Sequence, residues 1–155
     1  MSTDLDLADP STYDFFTEEN VRFSDTDMVG HVNNVAHTAL VECGRIAFGY
    51  EMARRSGVEF GTITFAHLDI DFRADLYYPA RVRIGCRVLR VGTSSFTVGV
   101  GVFDGDTCAT TSTNVLVHLG EDRRPAPLPD AFREVLSADL SGRGPSRGPE
   151  GRPSR

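Results

Sequence analysis

The chain has 155 residues, 40% of them apolar, and a formal net charge of −6. That length supports one domain with a sizeable core, and the acidic balance argues against broad nucleic-acid binding. No apolar run is long enough to span a bilayer, and the acidic start from Met1 to Leu7 lacks the basic-then-apolar pattern of a secretory signal, so a cytoplasmic protein is expected.

Residues 1–12 are polar and acidic and read as a flexible lead-in. Val21 and Phe23 alternate with Arg22 and Ser24, which predicts a first strand within Tyr13 to Ser24. Next comes the densest polar motif of the chain, Asp25-Thr26-Asp27-Met28-Val29-Gly30-His31-Val32-Asn33-Asn34. From about Asn33 to Ser56 apolar residues recur at three- and four-residue steps (Ala36, Leu40, Cys43, Ala47, Tyr50, Ala53), the period of a helix. Asn33 or Asn34 is its natural N-cap and Gly57 its stop. Gly44 and Gly49 inside this helix each cost about 1 kcal/mol relative to alanine, which implies close approach to a flat surface such as a sheet.

Strands follow. In Thr62 to Phe72 the pair Ile63 and Phe65 has the opposite parity to Leu68, Ile70 and Phe72, so a bulge is expected near Ala66 or His67. Ala80 to Val88 alternates apolar residues with Arg81, Arg83 and Arg87. A turn at Gly92-Thr93-Ser94 leads to Phe96, Val98, Val100 and Val102, and Asp104-Gly105-Asp106 turns into Cys108 to Leu119. Short turns predict an antiparallel meander of these four strands. One helix on one face of such a sheet is an α+β layer fold whose polar second face is free to meet another subunit. Asp130 to Leu136 is a candidate short helix. Residues 137–155 read as a disordered tail, dominated from Ser141 by Gly, Pro, Ser and Arg.

Cys43, Cys86 and Cys108 form no CxxC pair, so buried reduced thiols are expected rather than disulfides or a zinc site. His31 and His37 do not make a metal pair, because one lies ahead of the helix and no third ligand is evident. The chain contains no GxxxxGK, GxGxxG or G-x-S-x-G motif and no evident Ser-His-Asp triad, which excludes phosphate-loop and α/β-hydrolase chemistry. What remains is a carboxylate pair just ahead of a helix start. A helix start offers unpaired N–H groups and a positive dipole end, so the pairing suits a base or nucleophile facing an oxyanion site.

These residues resemble the hotdog-fold acyl-CoA thioesterases of the 4-hydroxybenzoyl-CoA thioesterase type, from about Thr17 to Arg133. The resemblance rests on Arg22-Phe23-Ser24-Asp25-Thr26-Asp27 with Gly30-His31-Val32-Asn33-Asn34. Glu42 with Arg45, Tyr78-Pro79, Gly92 to Phe96 and the Arg124 to Pro129 exit support it. It implies a single hotdog domain over 13–136, an antiparallel sheet wrapped around one long central helix, and a homodimer or dimer of dimers with active sites at the subunit interface. It implies hydrolysis of an acyl-CoA to free acid and CoA, with CoA part of the substrate and no metal or redox cofactor. Asp27 would be nucleophile or general base, and the helix N-terminus at about Asn34 would hold the oxyanion.

The other residues carry competing readings. Asp25 is expected to bond loop N–H groups. His31 either orients the acyl group or holds the loop. Gly30 and Asn33 shape the loop and helix cap beside the substrate, and Tyr78 is a candidate contact. Glu42 is the rival base, because another branch of these enzymes places its carboxylate on the long helix. An i,i+3 pair with Arg45 is the structural alternative. Thr93, Ser94 and Ser95 are candidates for the phosphates or pantetheine arm of CoA, with charge from Arg81, Arg83, Arg87 and Arg90. Two other functions stay open: a non-catalytic acyl-CoA-binding or interaction module, and a thioesterase for acyl groups on acyl carrier protein.

Overall fold

The computed structural model describes residues 5–59 and 62–142. Five antiparallel strands form one sheet, β1 (Phe15–Asn20), β2 (Ile63–Phe72), β3 (Arg81–Val91), β4 (Ser95–Asp104) and β5 (Thr107–His118), in the order β1-β3-β4-β5-β2. Helix α1 (Asn34–Ser56) lies against the sheet as the expected central helix, and a second helix α2 (Asp130–Leu140) packs beside it. This is the α+β hotdog arrangement.

Local chemistry explains the helix bounds. Asn33 is the N-cap, its side chain accepting the Ala36 N–H, and Gly57 closes the helix in the left-handed region at φ 71°. Arg54 and Arg55 sit in the last turn, where the dipole favours cations. Buried Leu40, Val41, Phe48 and Met52 face Val82, Ile84, Cys86, Val98, Val100 and Val102 of the sheet. Gly44 allows this contact, since a Cβ there would overlap the Ile84 side chain. The close approach expected from its sequence position is therefore what the fold contains.

The anticipated bulge is present, with register shifting between Phe65 and His67. Other expectations need correction. β1 ends at Asn20, because the Val21 N–H bonds the Ala80 carbonyl and Phe23 turns out to solvent in a short 3-10 helix, Phe23–Asp25. Only β3, β4 and β5 form a meander. β2 pairs with β5 at the far edge, and the segment after it passes the start of α1, where the Leu76 carbonyl accepts the Val32 N–H. The terminal helix runs to Leu140 rather than Leu136. Phe132 and Leu136 join the core, and the Asp139 carboxylate accepts the Val88 N–H at 2.8 Å beside the β3 bulge. The rest of the expected tail, 143–155, lies outside the described residues.

The back of the sheet also differs from expectation. Its centre is glycine and aromatic rather than polar. Tyr13, Phe16 and Phe103 pack edge to face, and the Tyr13 hydroxyl donates to the Leu7 carbonyl at 2.7 Å. Cβ atoms at Gly85, Gly99 or Gly101 would collide with Tyr13, Leu7 or Phe103. Residues 5–12, expected as a loose lead-in, are thus seated on this face, with Pro10–Thr12 in a 3-10 turn. Of the cysteines, all with free thiols, Cys86 is buried, Cys108 half-buried and Cys43 exposed, so burial holds fully for one of them. Among the described residues, no helix is long and apolar enough to cross a membrane.

Candidate active site

The motif loop is built on Asp25. Its buried carboxylate accepts the Arg22 N–H at 2.8 Å and the Arg22 guanidinium at 2.8 and 3.1 Å. These bonds hold its pKa below the ordinary carboxylate range, against a smaller opposing effect of burial. The Asp25 carbonyl accepts both the backbone N–H and the side-chain amide of Asn33, at 2.9 Å each. Asp25 and Asn33 therefore fix the loop to the helix cap, the structural role expected for Asp25.

Beyond Asp25 the chain makes a tight excursion. Thr26 and Val32 form a bridge, the Asp27 N–H bonds the His31 carbonyl at 3.1 Å, and the Gly30 N–H bonds the Asp27 carbonyl at 3.0 Å. Gly30 has φ 96°, a conformation that disfavours any side chain. Asp27 is exposed. One carboxylate oxygen accepts the Val29 N–H at 2.9 Å, and the other has no hydrogen bond within the described chain. The loop thus holds Asp27 directly across from His31 and leaves one carboxylate oxygen available. Met28 and Val29 project at its tip.

At the helix start, Asn33 takes up the third N–H through its side chain and the fourth through its carbonyl. The first two, on Asn34 and Val35, have no acceptor within the described chain. They are free to bind an anion or a polarised carbonyl. Asn34 and His31 line a cavity of about 140 Å³ with His37, Phe72, Arg73 and Asp75 among its other walls. The His31 Nδ1 lies 3.2 Å from the Val32 carbonyl, so this ring is partly engaged by the loop.

His37 is the group that sequence reasoning passed over. It is buried, its Nδ1 lies 2.6 Å from the Thr110 hydroxyl, and its ring stands edge-on to Phe72. Burial pushes its pKa down, His31 adds to that, and Asp75 opposes it. Its place three residues after Asn34 puts both on one helix face, and that spacing was the available signal.

Glu42 lies two turns further along, on a second cavity of about 120 Å³ with Thr38, Val41, Arg45, Phe65, Leu68 and Asn114. The i,i+3 pair with Arg45 is present but long, at 3.4 Å, and Glu42 is 65% exposed, so it contributes little. The Arg45 guanidinium sits 4.3 Å over the Phe65 ring, and burial lowers its pKa. Asn114 is fully buried, and its side-chain oxygen has no hydrogen-bond partner among the described residues.

Tyr78 belongs to the motif end. It follows the Leu76 contact with Val32, forms a cis bond to Pro79, and packs edge-on to Phe23 at 5.7 Å. Thr93, Ser94 and Ser95 are not brought to that end. The Ser94 carbonyl accepts the His118 N–H, and Arg133 donates to the Gly92 and Thr93 carbonyls at 2.8 and 2.7 Å. His118 lies about 26 Å along β5 from Thr110, at roughly 3.3 Å per residue. The β3 arginines are engaged elsewhere along the strand, Arg81 with Glu18 and Arg83 over Phe16 at the end away from Thr93, and Arg87 on the Thr12 carbonyl. Among the described residues, no group of three or more His, Cys, Asp or Glu is placed to hold a metal ion.

The chain matches the thioesterase-like superfamily over residues 21–136. It is 27% identical to the Bacillus subtilis protein YsmA over 129 residues, 81% of this chain and 87% of that one. A thioesterase from Thermus thermophilus, solved with coenzyme A and zinc, is 30% identical with a TM-score of 0.74, covering 83% of this chain and 96% of its own. A thioesterase-superfamily structure from a Jannaschia species gives 25% and 0.74, covering 87% and 88%. A 1,4-dihydroxy-2-naphthoyl-CoA thioesterase from Synechocystis shares the fold at 17% identity and a TM-score of 0.67, covering 82% and 97%.

Proposed function

This chain belongs to the thioesterase-like superfamily and is a thioester hydrolase, and from that premise we propose that it hydrolyses acyl-CoA to a free acid and CoA at the start of α1. The observation that carries this reading is the pairing of two elements. Asp27 has a carboxylate oxygen left free by the loop, and Asn34 and Val35 have N–H groups left free by the cap. The complex of the Thermus thermophilus thioesterase with coenzyme A supports CoA as the carrier.

In the reaction, the thioester carbonyl oxygen binds the Asn34 N–H. Asp27 then attacks the carbonyl carbon or takes a proton from the attacking water. Negative charge gathers on the carbonyl oxygen as the new C–O bond forms, and the helix end stabilises it. The C–S bond breaks, and the CoA sulfur leaves as thiolate and takes up a proton. On the nucleophilic route, water then hydrolyses the acyl–Asp27 anhydride. Either route uses water as its only co-reactant and needs no metal or redox cofactor.

A second copy completes the site in this reading. The outer edge of β2 is ten residues long and, among the described residues, unpaired, with Phe65 and Phe72 exposed along it, and such edges invite strand pairing. Antiparallel pairing of two β2 edges lays the Thr93–Ser95 end of one copy beside the α1 start of the other. The homodimer thus reunites candidate residues that one chain holds far apart.

The test is release of CoA thiol from short, medium, long and aromatic acyl-CoAs by wild type and Asp27→Asn. A fall of ~10²–10⁴-fold in turnover is expected. Retained activity in Asp27→Asn, lost instead in Glu42→Gln, would move the base to Glu42. Turnover only of acyl groups on a carrier protein would replace CoA as the substrate carrier.

A further inference from the structure

The cavity at the start of α1 contains a nitrogen that the proposed chemistry does not yet use. His37 is 3% exposed, and its Nδ1 contacts the Thr110 hydroxyl at 2.6 Å. Its Nε2 has no hydrogen bond within the described chain, and the ring helps line the cavity that Asn34 and His31 also line. Residues 34 and 37 share a helix face, and side chains in the first turn lean toward the N-terminus, the end where the Asn34 N–H is free.

Thr110 decides which ring nitrogen carries the proton. It is fully buried, and the described chain offers its side-chain hydroxyl no partner other than His37. If His37 donated from Nδ1, the buried hydroxyl proton would be left without an acceptor. If the hydroxyl donates to Nδ1, both groups are satisfied. The second arrangement leaves the proton on Nε2. Burial, and after it the neighbouring His31, push the ring toward its neutral form, against Asp75.

We infer that His37 is a further catalytic group, a neutral imidazole whose Nε2–H donates to the thioester carbonyl oxygen beside the Asn34 N–H. The inference rests on the proposed hydrolysis at the α1 start and deepens it. The oxyanion site then consists of backbone and side-chain donors together, and Thr110 is a positioning residue that sets the tautomer from behind. The proton stays on Nε2 throughout, since the group acts as a donor and not as an acid.

The experiment combines kinetics with histidine ¹⁵N NMR on the full chain. At pH 7 the His37 signals are expected to report a neutral ring with the proton on Nε2, and Nε2 to shift when an acyl-CoA thioether analogue binds. His37→Phe should lower kcat by about 10²-fold with KM within about twofold, as for loss of one oxyanion donor. His37→Gln, which keeps a donor, should recover part of that loss. Thr110→Val should return a mixture of tautomers and a several-fold lower kcat. Wild-type kcat in a folded His37→Phe protein would overturn the inference, and so would a proton on Nδ1 in the wild type. If His37→Phe fails to fold, the tautomer and Thr110→Val decide. Failure of the wild type to turn over any acyl-CoA would strike the proposed function instead, a result separable from a silent His37→Phe in an active enzyme.

Discussion

Gly44→Ala opposes two effects whose sizes can be worked from the structure. In a helix interior, alanine is favoured over glycine by about 1 kcal/mol. Against this, the new Cβ would overlap the Ile84 Cγ2, stand 3.1 Å from its Cβ and 3.4 Å from the Cys86 sulfur. Ile84 is fully buried in β3, and both of its clashing atoms are tied to the strand backbone rather than to a flexible end. Relief requires α1 to lift from the sheet, and overpacking of this kind costs about 1–3 kcal/mol. The upper half of that range applies, so a net destabilisation of about 1–2 kcal/mol is expected. In a chain of this size that lowers Tm by about 2–8 °C. Urea unfolding followed by far-UV circular dichroism measures it as a lower midpoint at unchanged slope. Ile84→Ala placed in the same chain should recover part of the loss, with a coupling of about 1–2 kcal/mol. A Gly44→Ala protein as stable as wild type would refute the reasoning, since propensity would then outweigh contact.

Asn33→Ala removes the cap to Ala36 and the bond to the Asp25 carbonyl together, and should cost about 1–2 kcal/mol in urea unfolding. A loss under about 0.5 kcal/mol, the scatter expected of a surface change, would mean the loop and helix are not joined there. Glu51 is held down to about 2 by bonds from Arg54 and Arg55. Its folded pKa is depressed, so its stabilisation is present above the ordinary value of 4.5 and lost as pH falls towards 2. Arg54 is 72% exposed, which discounts the gain to about 0.5–1 kcal/mol. The stability gap between wild type and Glu51→Gln should be open at pH 6 and closed near pH 2, and a gap constant with pH would contradict the assignment. Tyr13→Phe deletes one buried bond to the Leu7 carbonyl and should cost about 0.5–1.5 kcal/mol, with neutrality counting against an ordered N-terminal segment.

Features written in local chemistry were legible from sequence. Asn33 and Gly57 bound α1 because capping and the left-handed stop depend on neighbouring residues alone. The bulge at Ala66 showed as a parity break, and the Asp104-Gly105-Asp106 turn as its composition. Features set by distant partners were not. Val21 continues a strand pattern, yet its N–H is claimed by Ala80 from another part of the chain. β2 sits at the far edge because eight residues separate it from β3, enough to carry the chain past the α1 start. The tail pattern concealed Asp139, whose carboxylate ties the last turn of α2 to β3. In the site, Asp27, His31 and Asn34 stood out because they share one short motif. His37 did not, because a histidine on the apolar face of a helix reads as core until Thr110 is seen behind it.

The glycine-lined back of the sheet bears on the order in which the chain assembles. The segment around Leu7 precedes its seat at Gly99 and Gly101 by roughly 90 residues. Contacts of such separation form only after the strands beneath them have paired. The segment is therefore a late fastening, absent from the folding nucleus. Weakening it should leave the folding rate nearly unchanged and speed unfolding, so residues 5–12 govern how long the fold persists rather than how fast it is reached.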